Sequence, residues 1–236
     1  MARLLGGLYW LLILPLLPWL ILQGQRTRNT ALRLPEADGE RHGQTGQGQP
    51  FILVIVGESP VAGVGVAHHR DALGPALAGP LADQLNRQVH WYCHGSNGIR
   101  IDQLLGDPLH GLPERADAVL VMMGVNDTTG LTSLHHWQRQ LGLLQQRLHG
   151  RFAAPVRFCA VPPMHRFTAL PQPLRMVIGL RARLFDRVLA NSCRRLDYGR
   201  IEGSDLLAED GYHPSAAGFR LMGERLAKAL SHDLHQ

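Results

Sequence analysis

The stretch that decides the fold is Phe51–Gly65, FILVIVGESPVAGVG. An apolar run from Phe51 to Val56 halts at Gly57, and a carboxylate, a serine and a proline follow at Glu58, Ser59 and Pro60. A run this short and unbroken suits a strand buried on both faces, because a strand with one wet face alternates instead. The break then puts a serine at the strand's carboxyl end, which is where open α/β sheets bind their ligands.

The pattern repeats outward from there. Residues 75–88 carry Leu77, Leu81 and Leu85 at helical spacing, and VHWYCHG (89–95) reads as a second strand. ADAVLVMMG (116–124) reads as a third strand, followed by an amphipathic helix over 134–148. APVRFCAVPP (154–163) makes a fourth strand, stopped by Pro162 and Pro163, and a long helix covers 174–195. A fifth strand is expected near 198–201 and a last helix over 214–230. Alternation of this kind implies an α/β fold with a central parallel sheet of about five strands, covered by helices on both faces, in one domain over 51–232. Three expected strand ends are polar: GES, HGSNG and GVND.

The N-terminus differs. Leu4–Leu22, LLGGLYWLLILPLLPWLIL, carries no charge and is about long enough to cross a bilayer. It follows a basic head at Arg3, and no small-x-small cleavage pattern comes after it, so residues 1–22 read as an uncleaved membrane anchor rather than a removed signal peptide. An N-terminal apolar segment commonly exports the domain behind it, which favours the extracytoplasmic side. Arg26, Arg28 and Arg33 argue the other way by the positive-inside rule. Residues 23–50, ending GERHGQTGQGQP, are polar and without apolar periodicity, and read as a flexible tether.

Composition narrows the function classes. Of the 236 residues, 45% are hydrophobic, enough for a real core. The formal charge is +5, yet every basic residue except Lys228 is arginine and no run of five basic residues occurs, so a nucleic-acid surface is not expected. Cys93, Cys159 and Cys193 form neither a disulfide framework nor a C-x-x-C pair. The chain has thirteen histidines but no H-E-x-x-H, and the doublets at 68–69 and 135–136 splay their side chains, so no metal and no cofactor are expected.

Around Ser59 the familiar alternatives fail. No G-x-x-x-x-G-K-[ST] loop exists there, and Gly63-Val-Gly65 has no third glycine in register for a dinucleotide site. A G-x-S-x-G elbow would need glycine at Val61, and Pro60 lacks the N–H that the residue after that nucleophile donates. Other parts of the chain supply partners for a serine nucleophile. EDGYHPSAAG offers Asp210 to orient and His213 to act as base, with Pro214 suited to the first turn of the next helix. Asn126, in MMGVNDTTG, has a side-chain amide of the kind that stabilises an oxyanion, or is a turn residue. In HGSNG, Gly95 and Gly98 are both candidates to turn a backbone N–H inward.

These blocks resemble the SGNH hydrolases, also called the GDSL esterase/lipase family, over about residues 52–230. Gly57-Glu58-Ser59-Pro60 matches its first block, Gly98 its second-block glycine, Gly124-Val125-Asn126-Asp127 its third and Asp210–Pro214 its last. The resemblance implies a flavodoxin-like three-layer α/β/α fold and metal-free hydrolysis of carboxylic esters. It implies Ser59 as nucleophile, His213 as general base and then acid, Asp210 as its orienting carboxylate, and the Ser59 N–H, Gly98 N–H and Asn126 amide as oxyanion donors. Glu58 departs from the family's usual aspartate, and its extra methylene is expected either to shift the loop bearing the Ser59 N–H or merely to bond its own loop. Two alternatives accompany the esterase reading: an acyltransferase using the same triad, and a membrane-tethered binding module without turnover, supported only by Glu58. The short connections predict no large lid and small or flexible acyl groups. The irregular segment PMHRFTALPQPLRM (163–176) either lines the pocket or forms a plain surface loop. Expected substrates are small-molecule, lipid or glycan esters.

Overall fold

The computed structural model describes residues 2–201 and 203–235; Met1, at the tip of the expected anchor, lies outside them. The chain opens with α1 (Ala2–Ile13) and α2 (Leu17–Thr30), joined by a short 3-10 turn at Leu14–Leu16. Then come β1 (His42–Thr45), β2 (Pro50–Gly57), α3 (Leu73–Leu85), β3 (Gln88–Gly95), α4 (Ile101–Gly106) and β4 (Ala118–Met122). The remainder is α5 (Val125–Thr129), α6 (Leu134–Phe152), β5 (Val156–Cys159), α7 (Leu174–Ser192), β6 (Arg195–Leu196) and α8 (Ala216–Leu234).

Six strands form one sheet in the order β1-β3-β2-β4-β5-β6, parallel except for β1. The central strand is β2, the one read from FILVIVG. Its side chains alternate between two separate cores, as the two-residue period of a strand requires. Val54 and Val56 join Val119 and Val121 beneath Trp137, Leu141 and Leu144 of α6 and Phe185 of α7. Leu53 and Ile55 join Leu120 beneath Leu77 and Leu81 of α3 and Phe219 and Leu226 of α8. Both faces of the strand are dry, which is why its sequence is apolar throughout. Cys93 and Cys159 are buried within the second core, and burial pushes the Cys93 thiol up to about 12.

Three expectations differ from the structure. The stretch 23–50 holds the end of α2 and all of β1, which pairs antiparallel with β3 from His42↔Tyr92 to Thr45↔Val89. The Arg41 guanidinium donates to the Gly95 carbonyl and to Glu36, while the Asn97 N–H donates to Glu36. This edge strand is held by backbone pairing and by polar side chains, so its residues show no apolar period. The sixth strand comes from it. The last strand lies at Arg195–Leu196 rather than 198–201, opening on an arginine paired with Asp186 and Asp197 and ending before a turn at Gly199. Finally, α8 begins at Ala216 with Ser215 as its cap, accepting from the Gly218 N–H, so Pro214 stands just outside the helix.

Helices α3 and α8 pack so closely that a Cβ on Gly223 would sit 2.2 Å from the Ala76 carbonyl oxygen. Alanine suits a helix interior better than glycine by about 1 kcal/mol, but backbone cannot move aside as a side chain can. Gly223→Ala is therefore expected to lose a net ~1–3 kcal/mol, seen as a lower urea midpoint at unchanged m.

Candidate active site

Three strand ends meet at one rim of the sheet. β2 and β3 run in register to Gly57↔Gly95, and Gly57 also pairs with Met122 of β4. The loop leaving β2 turns tightly: the Val61 N–H donates to the Glu58 carbonyl and the Val64 N–H to the Ser59 carbonyl. That loop then passes against the segment bearing His213. Gly65 has φ +110°, and a Cβ there would lie 2.2 Å from the Pro214 carbonyl oxygen, so only glycine permits the approach.

His213 is presented by a clamped loop. The Ala208 N–H donates to the His213 carbonyl and the Ser215 N–H to the Leu206 carbonyl. Within it Asp210 takes the Tyr212 and His213 N–H groups on Oδ1, at 2.9 and 3.0 Å, and faces His213 Nδ1 with Oδ2 at 2.6 Å. The other ring nitrogen, Nε2, lies 2.9 Å from Ser59 Oγ. Burial pushes the Asp210 carboxyl up, but the imidazole and the two N–H donors outweigh it and hold the carboxyl below its ordinary value. Asp210 thus stays ionised beside the histidine, so it favours the tautomer with a proton on Nδ1 and leaves Nε2 facing the hydroxyl. Ser59, Asp210 and His213, 154 residues apart at the widest, stand in one row.

Gly98 and Asn126 line the same cavity as Ser59 and His213. Gly98 has φ +80°, and neither its N–H nor that of Ser59 donates to another protein group among the described residues. Gly95, the other glycine of that loop, is spent on packing: a Cβ there would lie 2.7 Å from Val61 Cβ. The Asn126 amide nitrogen donates to Glu58 Oε2 at 2.8 Å and to the Ile99 carbonyl at 3.2 Å.

Glu58 is the residue whose role sequence reasoning missed. It neither bonds its own loop nor hangs free. Its carboxylate is buried and accepts from the Val125 N–H at 3.0 Å, the Asn126 N–H at 3.1 Å and the Asn126 side chain. The longer side chain thereby spans from the serine loop to the start of α5. Nothing within GES announces partners 67 and 68 residues on. Arg181 was likewise missed; it is buried in α7, with Nε donating to the Thr128 carbonyl at 2.8 Å and Nη2 to that of Thr132. Among the described residues, no three His, Cys, Asp or Glu side chains cluster to hold a metal ion.

The cavity occupies about 800 Å³, within the roughly 300–1,000 Å³ that encloses a small organic ligand. Phe167, Leu170 and Leu174 from the 163–176 segment line it, so that segment is pocket wall rather than plain surface loop. Residues of α1 and α2 also line it.

Residues 55–221 match the GDSL-like lipase/acylhydrolase family. The chain belongs to that family. A GDSL-like esterase of Mycobacterium tuberculosis, Rv1075c, is 27% identical over 192 residues, covering 75% of this chain. The match spans 61% of that relative's length. The fold is also that of a lipase/acylhydrolase from Enterococcus faecalis (TM-score 0.55, 18% identity, 78% of this chain and 96% of that one). An extracellular lipase from Streptomyces rimosus superimposes similarly (TM-score 0.55, 17% identity, 76% of this chain and 99% of that one). The GDSL-like family is one of ester-bond hydrolases, and the four sequence blocks that resemble it fall on the three strand ends and the loop before α8.

Burial pushes the Glu58 carboxyl from 4.5 up to about 7, against the three N–H donors that pull it down. The folded state therefore holds a proton that the unfolded chain has released between those values. Glu58's contribution to stability is complete below about 4.5 and is lost as pH rises through about 7. Glu58→Gln removes that titration. Urea unfolding of both proteins between pH 4 and 8 should show the stability of wild type relative to the variant declining across that window and level on either side.

Proposed function

We propose that the protein is a serine-dependent carboxylic ester hydrolase working through an acyl-enzyme. The observation that carries this reading is the row from Ser59 Oγ to His213 Nε2 at 2.9 Å and from Nδ1 to Asp210 at 2.6 Å. Nε2 takes the hydroxyl proton as Oγ bonds to the ester carbonyl carbon, and the carbonyl oxygen becomes an oxyanion. The protonated imidazole, held by Asp210, returns the proton to the leaving alcohol as the C–O bond breaks. Water then attacks the acyl-enzyme by the same exchange, its proton passing through Nε2, and Ser59 is restored.

The oxyanion takes its donors from the Ser59 and Gly98 N–H groups, which have no protein acceptor among the described residues, and from the Asn126 amide. That amide is already engaged twice. The contact with Ile99 is the longer at 3.2 Å and is the one an oxyanion displaces, while Glu58 keeps the amide aimed. In this reading the domain is held at a membrane, on its extracytoplasmic side, by an uncleaved N-terminal helix. Its support is a 25-residue helical segment, Gly6–Thr30, long and apolar enough to cross a bilayer, a property that a signal sequence shares.

Ser59→Ala should lower kcat on short p-nitrophenyl esters by at least ~10³-fold and abolish labelling by a fluorophosphonate. Full turnover in that variant removes the nucleophile assignment. Asn126→Ala should cost about 10²–10³-fold in kcat with a smaller change in KM, since an oxyanion donor acts in the transition state.

A further inference from the structure

From Leu4 of α1 to Leu22 of α2 the chain is apolar on all sides, yet these sides meet different surroundings. Tyr9, Ile13 and Leu20 form an inward stripe, buried against Leu170 and Leu174. Polar contacts fix the docking. Gln23 exchanges bonds with the 172–174 segment, donating to the Gln172 carbonyl at 2.6 Å and accepting from the Leu174 N–H at 3.2 Å. The Arg181 guanidinium lies 5.6 and 5.9 Å from the ring centres of Tyr9 and Trp10, within cation–π range. The cavity that holds Ser59 and His213 is bounded by this stripe, with Ile13, Leu17 and Leu20 among its lining residues. Opposite the stripe, Leu4, Leu8, Leu11, Leu12, Trp19 and Leu22 are all exposed. An apolar band of that length on a protein surface marks a membrane or a partner, and Arg26 and Arg28 follow it in the chain, basic residues suited to the headgroup layer.

Resting on the ester-hydrolase reading, we propose that α1 and α2 are the outer wall of an acyl-chain site. The rod lies in the membrane surface with its outward face in lipid. The substrate class is then a lipid ester with a medium or long acyl chain, which enters the cavity from the bilayer side. A helix that instead crossed the bilayer over these residues would carry Ile13 and Leu20 away from Leu170 and Leu174, break both Gln23 bonds and leave the cavity open to water. The site is therefore complete only with the helix docked, and selection for chain length resides in a segment outside the family blocks.

The test uses the full chain in phosphatidylcholine vesicles and p-nitrophenyl esters from acetyl to palmitoyl. Ile13→Trp and Leu20→Trp place bulk on the inward stripe, and Leu12→Trp places it outward. Whether the indole fills the cavity or pushes the rod away, the ratio of kcat/KM for decanoate over acetate should fall at least tenfold in the two inward variants. It should stay within twofold of wild type in the outward one. Equal effects from inward and outward variants, or no change in the ratio, overturn the proposal. Binding of cis-parinaric acid to Ser59→Ala protein, read by fluorescence, needs no turnover. The inward substitutions, added to that background, should raise its Kd at least tenfold, and unchanged Kd overturns the wall. Should Ser59→Ala keep full activity, the serine mechanism fails while the fatty-acid measurement still decides the wall.

Discussion

A buried carboxyl group held by three N–H donors is the interaction on which the site's geometry depends. Glu58 leaves water almost entirely, and in exchange its two oxygens take three N–H donors from Val125 and Asn126. Burying carboxyl oxygens costs free energy unless hydrogen bonds replace the lost water, so any movement of α5 away from the serine loop would leave the Glu58 oxygens without partners in an apolar interior. The penalty works as a positioning device. It keeps the end of β2 and the start of α5 at one separation, and with them Ser59 and the Asn126 amide.

The row through His213 is assembled differently. Its Asp210–His213 half is local, a turn in which one carboxylate oxygen takes two backbone N–H groups and the other takes the imidazole. That half requires only the chain order D-x-x-H and the clamp between 206 and 215. The Ser59 contact is the long-range half, and it exists because Gly65 lets the serine loop lie against the Pro214 carbonyl. A Cβ there would lie 2.2 Å from that oxygen, well inside van der Waals contact, so a side chain would push the two loops apart and lengthen the Ser59–His213 contact.

Along α1 and α2, hydrophobicity serves two different surroundings. The inward stripe is covered by α7 and the loop before it, with Gln23 and Arg181 supplying direction that apolar contact lacks. The outward side is covered by nothing among the described residues. Because the hydrophobic effect is indifferent to what removes water, the same residue types answer to protein on one side and suit lipid on the other. Arg181 also reaches the Thr128 and Thr132 carbonyls, so the rod rests on a group that holds the far end of α5.

Sequence pattern was enough for the alternation of strands and helices and for a FILVIVG strand dry on both faces, and it singled out Ser59, Asp210 and His213, which the fold brings into one row. These are properties of short windows: an unbroken apolar run that stops at a serine, a 3.6-residue period, and, for Asp210 and His213, a pair three residues apart. Tertiary structure alone decided the rest. The edge strand His42–Thr45 is held through backbone pairing, which leaves no apolar period, and the last strand opens on an ion-paired arginine. Glu58 finds its donors and Arg181 its carbonyls only when distant segments pack. The apolar N-terminus could be read as long enough for a bilayer, yet which of its sides meets α7 is settled by packing, because hydrophobicity records that a residue leaves water and not what it leaves water for.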